Sequence, residues 1–227
     1  MTLKYRRIMS SYKKATIAGN WWLSGSISAA NCLIAYQPKG AASYAASLSN
    51  LANPGTYDAT EGTAPDWDAV NGWKYTKTDS EYLKTGINPG ENYSMIVKFT
   101  NGNIVDNNNI MGAHDNASDN RFYLSHSLLG KIYCSYGDTS AGSVNEVASG
   151  ILCLAKDTGY LDAVAIYTNS GTWQVGGLPY EIYIGARNSS GAPNINYLTA
   201  YIQAVSIYNI ELSSDQVSAL TTAMESL

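Results

Sequence analysis

The chain has 227 residues, 45% of them hydrophobic, enough for one large domain with a real core, and no apolar run reaches the roughly 18 residues that a membrane span needs. Charged residues make up only 14% and the net charge is −4, so solubility rests on Ser, Thr, Asn and Gly, as is common in extracellular and virion-surface proteins. Three cysteines, Cys32, Cys134 and Cys153, are an odd number without metal-ligand spacing, which argues against a disulfide framework and for small buried apolar groups.

Residues 1–57 hold Lys4, Arg6, Arg7, Lys13, Lys14 and Lys39 and no acid; the remaining eight basic residues face eighteen acidic ones in 58–227. This first zone is read as a basic arm and leader that packs on or links to the body, docking on an acidic neighbouring subunit or on nucleic acid, or else as a lightly packed leader. It lacks the apolar stretch of a signal peptide. Trp21 and Trp22 are as suited to anchoring it as to touching a ligand, and Cys32 to Tyr36 is strand-like. Tyr44, Leu48 and Leu51 recur at helical spacing before Asn53-Pro54-Gly55, which predicts a short helix near 43–51.

A Thr-, Asp- and Ala-rich loop covers 56–70. Alternating runs then predict strands at 72–76, 81–86, 93–100, 108–113, 121–127, 131–136, 148–155, 161–168, 180–186 and 197–210, separated by Gly, Asn, Asp and Ser. Such spacing points to an all-β sandwich or barrel. The run Leu198 to Leu212 has large side chains on both faces, with Ile202, Ala204, Ser206 and Tyr208 on one and Tyr201, Val205 and Ile207 on the other. It is therefore placed centrally, covered on both sides. Ser213 and Gln216 stand at capping-box spacing, with Val217, Leu220 and Met224 forming the apolar stripe of a helix over 214–226.

Ile184-Gly185-Ala186, Ile207-Tyr208-Asn209 and Leu212-Ser213, with Gly72-Trp73-Lys74-Tyr75 and Glu81-Tyr82-Leu83 upstream, resemble the laminin-G-like, concanavalin-A-like jelly-roll domains over roughly residues 70–227. The resemblance implies an antiparallel β-sandwich jelly roll over 58–227 with a short C-terminal helix. It also implies a ligand at the sandwich rim and, often, a Ca²⁺ held there by oxygen ligands. The leader phrase around Ala41 to Ala52 resembles those of virion-encoded sandwich proteins.

Some concanavalin-A-like sandwiches are glucanases, which set carboxylates at alternate positions of one strand. This chain has no such triplet: Asp66-Trp67-Asp68 alternates but lies in a Pro-bounded loop, and Glu181 has apolar or aromatic neighbours. The histidines, His114 and His126, belong to no nucleophile elbow or zinc pattern. The loop from His114 to Asn120 offers oxygens for calcium through Asp115, Asp119 and Asn120, although the same residues suit an ordinary turn. Sugar binding needs flat aromatic faces beside planar polar groups, which nominates Trp67 between Asp66 and Asp68, Trp173 beside Gln174, the loop residue His114, and Arg187 and Asn188 after the "IGA" strand. The expectation is thus a protein that is not an enzyme: a glycan-binding module on a phage virion, folded in the host cytoplasm. It would form homo-oligomers and contact other virion subunits through the basic N-terminal region. A purely structural decoration protein and a divergent glycan hydrolase are the alternatives.

Overall fold

A strand is stable only when at least one face is buried, and the computed structural model, which describes residues 19–103, 107–128 and 130–227, shows how each face of this chain is satisfied. In chain order the elements are β1 (Cys32–Tyr36), α1 (Tyr44–Ser47), β2 (Thr60–Thr63), β3 (Asp66–Asp68), β4 (Gly72–Tyr75), β5 (Tyr82–Lys84) and β6 (Ser94–Thr100). Next come β7 (Asn108–Asp115), β8 (Asn120–Leu128), β9 (Lys131–Gly137), β10 (Thr139–Asn145), β11 (Gly150–Ala155), β12 (Thr158–Leu161) and β13 (Val164–Thr168). The chain finishes with β14 (Tyr183–Ile184), β15 (Asn188–Ser189), β16 (Ala192–Pro193), β17 (Ala200–Tyr208) and α2 (Ser214–Glu225).

Among the described residues the strands form two antiparallel sheets. The first runs β13-β12-β11-β6-β17-β4-β3, with β1 also on β17; the second runs β10-β9-β8-β7-β14-β5-β2, with β15 lying parallel to β7 and paired to β16. The expected all-β sandwich with a short C-terminal helix is what the structure shows. Tyr36, Trp73, Phe99, Phe122, Leu124 and Val205 belong to one buried cluster between the sheets. A second cluster lies on the far face of the first sheet, where Ile96, Ile151, Ala204 and Tyr208 sit under Trp21, Trp22 and the α2 residues Val217, Leu220 and Met224.

Several local signals explain these elements. The Ser213 hydroxyl accepts from Gln216 N while the Gln216 carbonyl oxygen accepts from Ser213 N, so α2 begins with a complete capping box. Trp21 and Trp22 meet edge to face at 5.8 Å, and the Tyr208 hydroxyl donates to the Trp22 carbonyl at 2.9 Å. The helix expected near 43–51 closes after Ser47. Its downstream turn is taken instead by buried Asn50, whose side chain accepts from Ala35 N and donates to the carbonyls of Leu33 and Thr56. Residues 20–57 therefore lie against the sandwich, while Lys4, Arg6, Arg7, Lys13 and Lys14 fall outside the described residues. Burial pushes the thiols of Cys32 and Cys134 up to about 12, in keeping with inert packing groups.

β17 is central and covered on both faces, but its faces differ from plain alternation. The register shifts between Ile202 and Ala204, so Ile202 joins Val205 and Ile207 between the sheets while Ala204 and Tyr208 face α2. At that bulge the outer edge of β17 changes partner, from β4 at Ala200–Ile202 to β1 at Val205–Tyr208. Gly72 makes the crossing possible. Its φ is +94°, and a Cβ there would sit 2.2 Å from the Ile202 carbonyl oxygen.

Candidate functional site

The second sheet also has two faces, and only one looks into the core. Met111, Ala113, Phe122, Leu124, Leu83 and Ile184 point inward, so their alternating neighbours Gly112, His114, Tyr123, Ser125, Tyr82 and Tyr183 stand on the opposite face. Gly112 lets that face pack tightly, since a Cβ there would lie 2.3 Å from the Tyr123 Cβ. Tyr82 stacks against Tyr183 at 4.8 Å between ring centroids and lies 6.4 Å from Tyr197, making an aromatic strip. The polar side chains satisfy one another: Ser125 donates to Asn109 at 2.8 Å, and the hydroxyls of Tyr123 and Ser135 meet that of Ser140 at 3.0 and 2.9 Å.

The hairpin of β15 and β16 lies beside this face. Asn188 fixes it, donating to the Glu181 carbonyl at 3.0 Å and accepting from Gly191 N at 2.9 Å, while Ser190 N donates to the His114 carbonyl at 2.9 Å. The hairpin carries Arg187, whose guanidinium carbon rests 4.6 Å above the Tyr123 ring. Buried His114 has Nε2 3.2 Å from the Asp119 carboxylate, which also receives Arg121. Burial holds the His114 pKa below its usual value, the hydrogen bond to Asp119 opposes this, and the charges of Arg187 and Arg121 add to the depression.

Next to the hairpin lies a groove of about 400 Å³ lined by Gly86, Asn88, Tyr180, Glu181, Tyr183 and Asn188 among others. Glu181 accepts from Gly86 N at 2.7 Å. Burial, then the charges of Glu181 and Tyr82, raise the Tyr183 pKa. Sequence reasoning passed over Tyr82, Tyr180, Tyr183 and Tyr197. The available signal was the phase of Glu181 and Tyr183 against the core-facing Ile182 and Ile184.

The structure thus brings His114, Arg187 and Asn188 together, with Asp119 against His114, and places Asp66, Trp67, Asp68 and Trp173 elsewhere. Asp66, Trp67 and Asp68 form β3 at the edge of the other sheet instead of a loop. Trp67 is half-buried and donates its indole N–H to the Pro38 carbonyl at 2.9 Å. Asp66 pairs with Lys74 at 3.3 Å, and Asp68 accepts from Val70 N and Asn71 N. Trp173 lies 5.4 Å from the Tyr136 ring at the margin of the core. In the proposed calcium loop, Asp115 accepts from Ala117 N at 3.0 Å and from the Ser118 hydroxyl at 2.6 Å; Asn120 is buried and donates to the Gly177 carbonyl at 3.1 Å. With Asp119 held by His114 and Arg121, the carboxylates are engaged in the turn, and among the described residues no three His, Cys, Asp or Glu side chains gather for a metal.

No family model and no curated protein matches the chain. Solved structures do. Trypanosoma rangeli sialidase in complex with sialic acid aligns with 86% of this chain and 33% of its own at 15% identity, TM-score 0.63. A mutant of the same sialidase displaying trans-sialidase activity aligns with 88% and 34% at 16% identity, TM-score 0.60. The chain spans about a third of the length of those sialidases. At such identities the likeness is one of fold. It overturns the expectation of a protein that is not an enzyme, because chains with this arrangement of strands occur within enzymes that act on glycans. The comparisons support the sandwich, and bring no support for a laminin-G-like kinship or a virion setting.

Proposed function

We propose that this chain recognises glycans through the outer face of its second sheet and the adjoining groove. The observation that supports this best is the convergence on one non-core face of half-buried Tyr82 and Tyr197 beside buried Tyr183, Asn88 and Glu181 at the groove, and Arg187 over Tyr123. Aromatic rings fit the apolar side of a sugar, and planar polar groups fit its hydroxyls. That the fold recurs in sialidases is consistent with the reading. A glycan array probed with the wild type and with Asn88→Ala tests it. Signals that fall in the variant, with the melting curve unchanged, support the proposal; a blank array for the wild type overturns it. Repeating the array in EDTA decides the calcium expectation, since only a metal-dependent site loses signal.

Glycan cleavage is the second reading, and the fold neighbours favour it. Sialidases use a tyrosine nucleophile, and here Tyr183 shares the groove with Glu181. The raised Tyr183 pKa works against that role, since a nucleophile needs its proton removed. Release of a fluorogenic alcohol from a sialoside, abolished by Glu181→Gln, would establish the activity. The setting we propose is a phage particle bearing several copies, attached through the basic residues before position 19; the composition and uneven charge support it. Light scattering with and without residues 1–18 tests the attachment, which fails if the mass is unchanged.

A further inference from the structure

We infer that the glycans taken on this face carry an anionic substituent, a carboxylate or a sulfate, seated on the guanidinium of Arg187. The inference rests on the glycan reading above and adds the chemical class of ligand. Two arginines stand near His114, and they differ. Arg121 is matched by Asp119, whereas among the described residues no carboxylate lies within ion-pair reach of Arg187. Among the described residues the Arg187 side chain makes no hydrogen bond, and its Nε is buried without a partner. Its one contact of note is the face of Tyr123, 4.6 Å away.

The neighbouring side chains form no ion pair with Arg187 among the described residues. His114 is 9% exposed and its Nδ1 is buried without a partner; the Arg187 charge is one of the influences that keep the ring neutral. The nearby carboxylates are engaged, Asp119 by His114 and Arg121, and Asp115 by its own turn. Arg187 is therefore left without an ion-pair partner among the described residues. A partly buried guanidinium without a counter-charge is unfavourable, and a planar oxyanion meets two of its N–H groups at once. Stacking on Tyr123 and the Asn188-locked hairpin hold the fork in place before a ligand arrives, which lowers the ordering entropy of binding. Asn188 also lines the adjoining groove, so the rest of a sugar chain has a continuous path.

Titration calorimetry with three oligosaccharides of equal length, one neutral, one polyuronic and one sulfated, tests the inference. The wild type is expected to prefer one or both anionic chains over the neutral one by roughly tenfold or more, the scale of a charge-assisted hydrogen bond. Arg187→Gln, checked for an unchanged melting curve, is expected to remove the preference so that the three chains bind alike, and Arg187→Lys to restore only part of it. Which anionic chain binds distinguishes carboxylate from sulfate. Equal binding of all three chains, or a preference that survives in Arg187→Gln, overturns the inference and leaves the glycan reading standing. Binding of none overturns both.

Discussion

The outer face of the first sheet carries Ile96, Ile151, Ala204 and Tyr208, and all four lie under α2 or the Trp21–Trp22 pair; the outer face of the second carries His114, Tyr123, Ser125 and Tyr183. Apolar side chains on a sheet leave no choice but a cover, because each one exposed forgoes about 1.5–3 kcal/mol. The second face is closed differently, since His114, Tyr123, Ser125 and Tyr183 are also buried but among polar partners. Its hydroxyls, amides and rings bond to one another, as in Ser125 to Asn109 and Tyr123 to Ser140, so the surface is ordered without an overlying helix. The helix side is sealed by apolar packing, and the ringed side by polar pairing with Arg187 laid over Tyr123.

This division can be broken at unequal points. Trp21→Ala removes a side chain only 1% exposed and is expected to cost about 3–5 kcal/mol, read as a lower urea midpoint at constant slope. Gly72→Ala forces a methyl toward the Ile202 carbonyl at positive φ and is expected to cost about 1–3 kcal/mol, because the bulge that deals Ile202 and Ala204 to opposite faces cannot close. Ser213→Ala dismantles the capping box for about 1 kcal/mol by the same measurement. Asn88→Ala, at the exposed groove, is expected to leave stability within about 0.5 kcal/mol and to show itself only as lost glycan binding. A larger loss of stability there would blur the contrast between the faces.

Acidity sharpens the comparison. Burial holds His114 below its unfolded value of 6.5, so its contribution is whole above that pH and is lost as pH falls toward the lower folded value, where the unfolded chain binds the proton more readily. His126 moves in the same direction. His114→Gln is therefore expected to reduce, without abolishing, the drop in melting temperature between pH 7.5 and pH 5; an unaltered drop would remove His114 as a contributor.

Much of the architecture could be read from alternation. The central position of β17, both helix sites and most core strands followed from it. β10 did not, because Thr139 to Asn145 is small and polar and becomes a strand only by pairing with β9. The face of Ile202 was missed because a bulge leaves no mark in a run of apolar residues. At the site, His114, Arg187 and Asn188 were identifiable as polar residues at strand ends. Tyr82 was not: its partners Tyr183 and Tyr197 lie about a hundred positions away, and only sheet pairing reveals them. Trp67 misled for the converse reason. An aromatic between two aspartates looks like a platform, but its indole N–H is already spent on Pro38.

The split edge of β17 bears on how the molecule is made. Its three neighbours, β1, β4 and β6, are all synthesised at least a hundred residues earlier, and β1 pairs with it across some 170 positions, Tyr36 meeting Val205. On the ribosome those strands must wait with bare edges until the last of them threads between, a route that is slow and open to wrong pairing. Nascent chains stalled short of residue 200 should accordingly be digested by protease far faster than released ones.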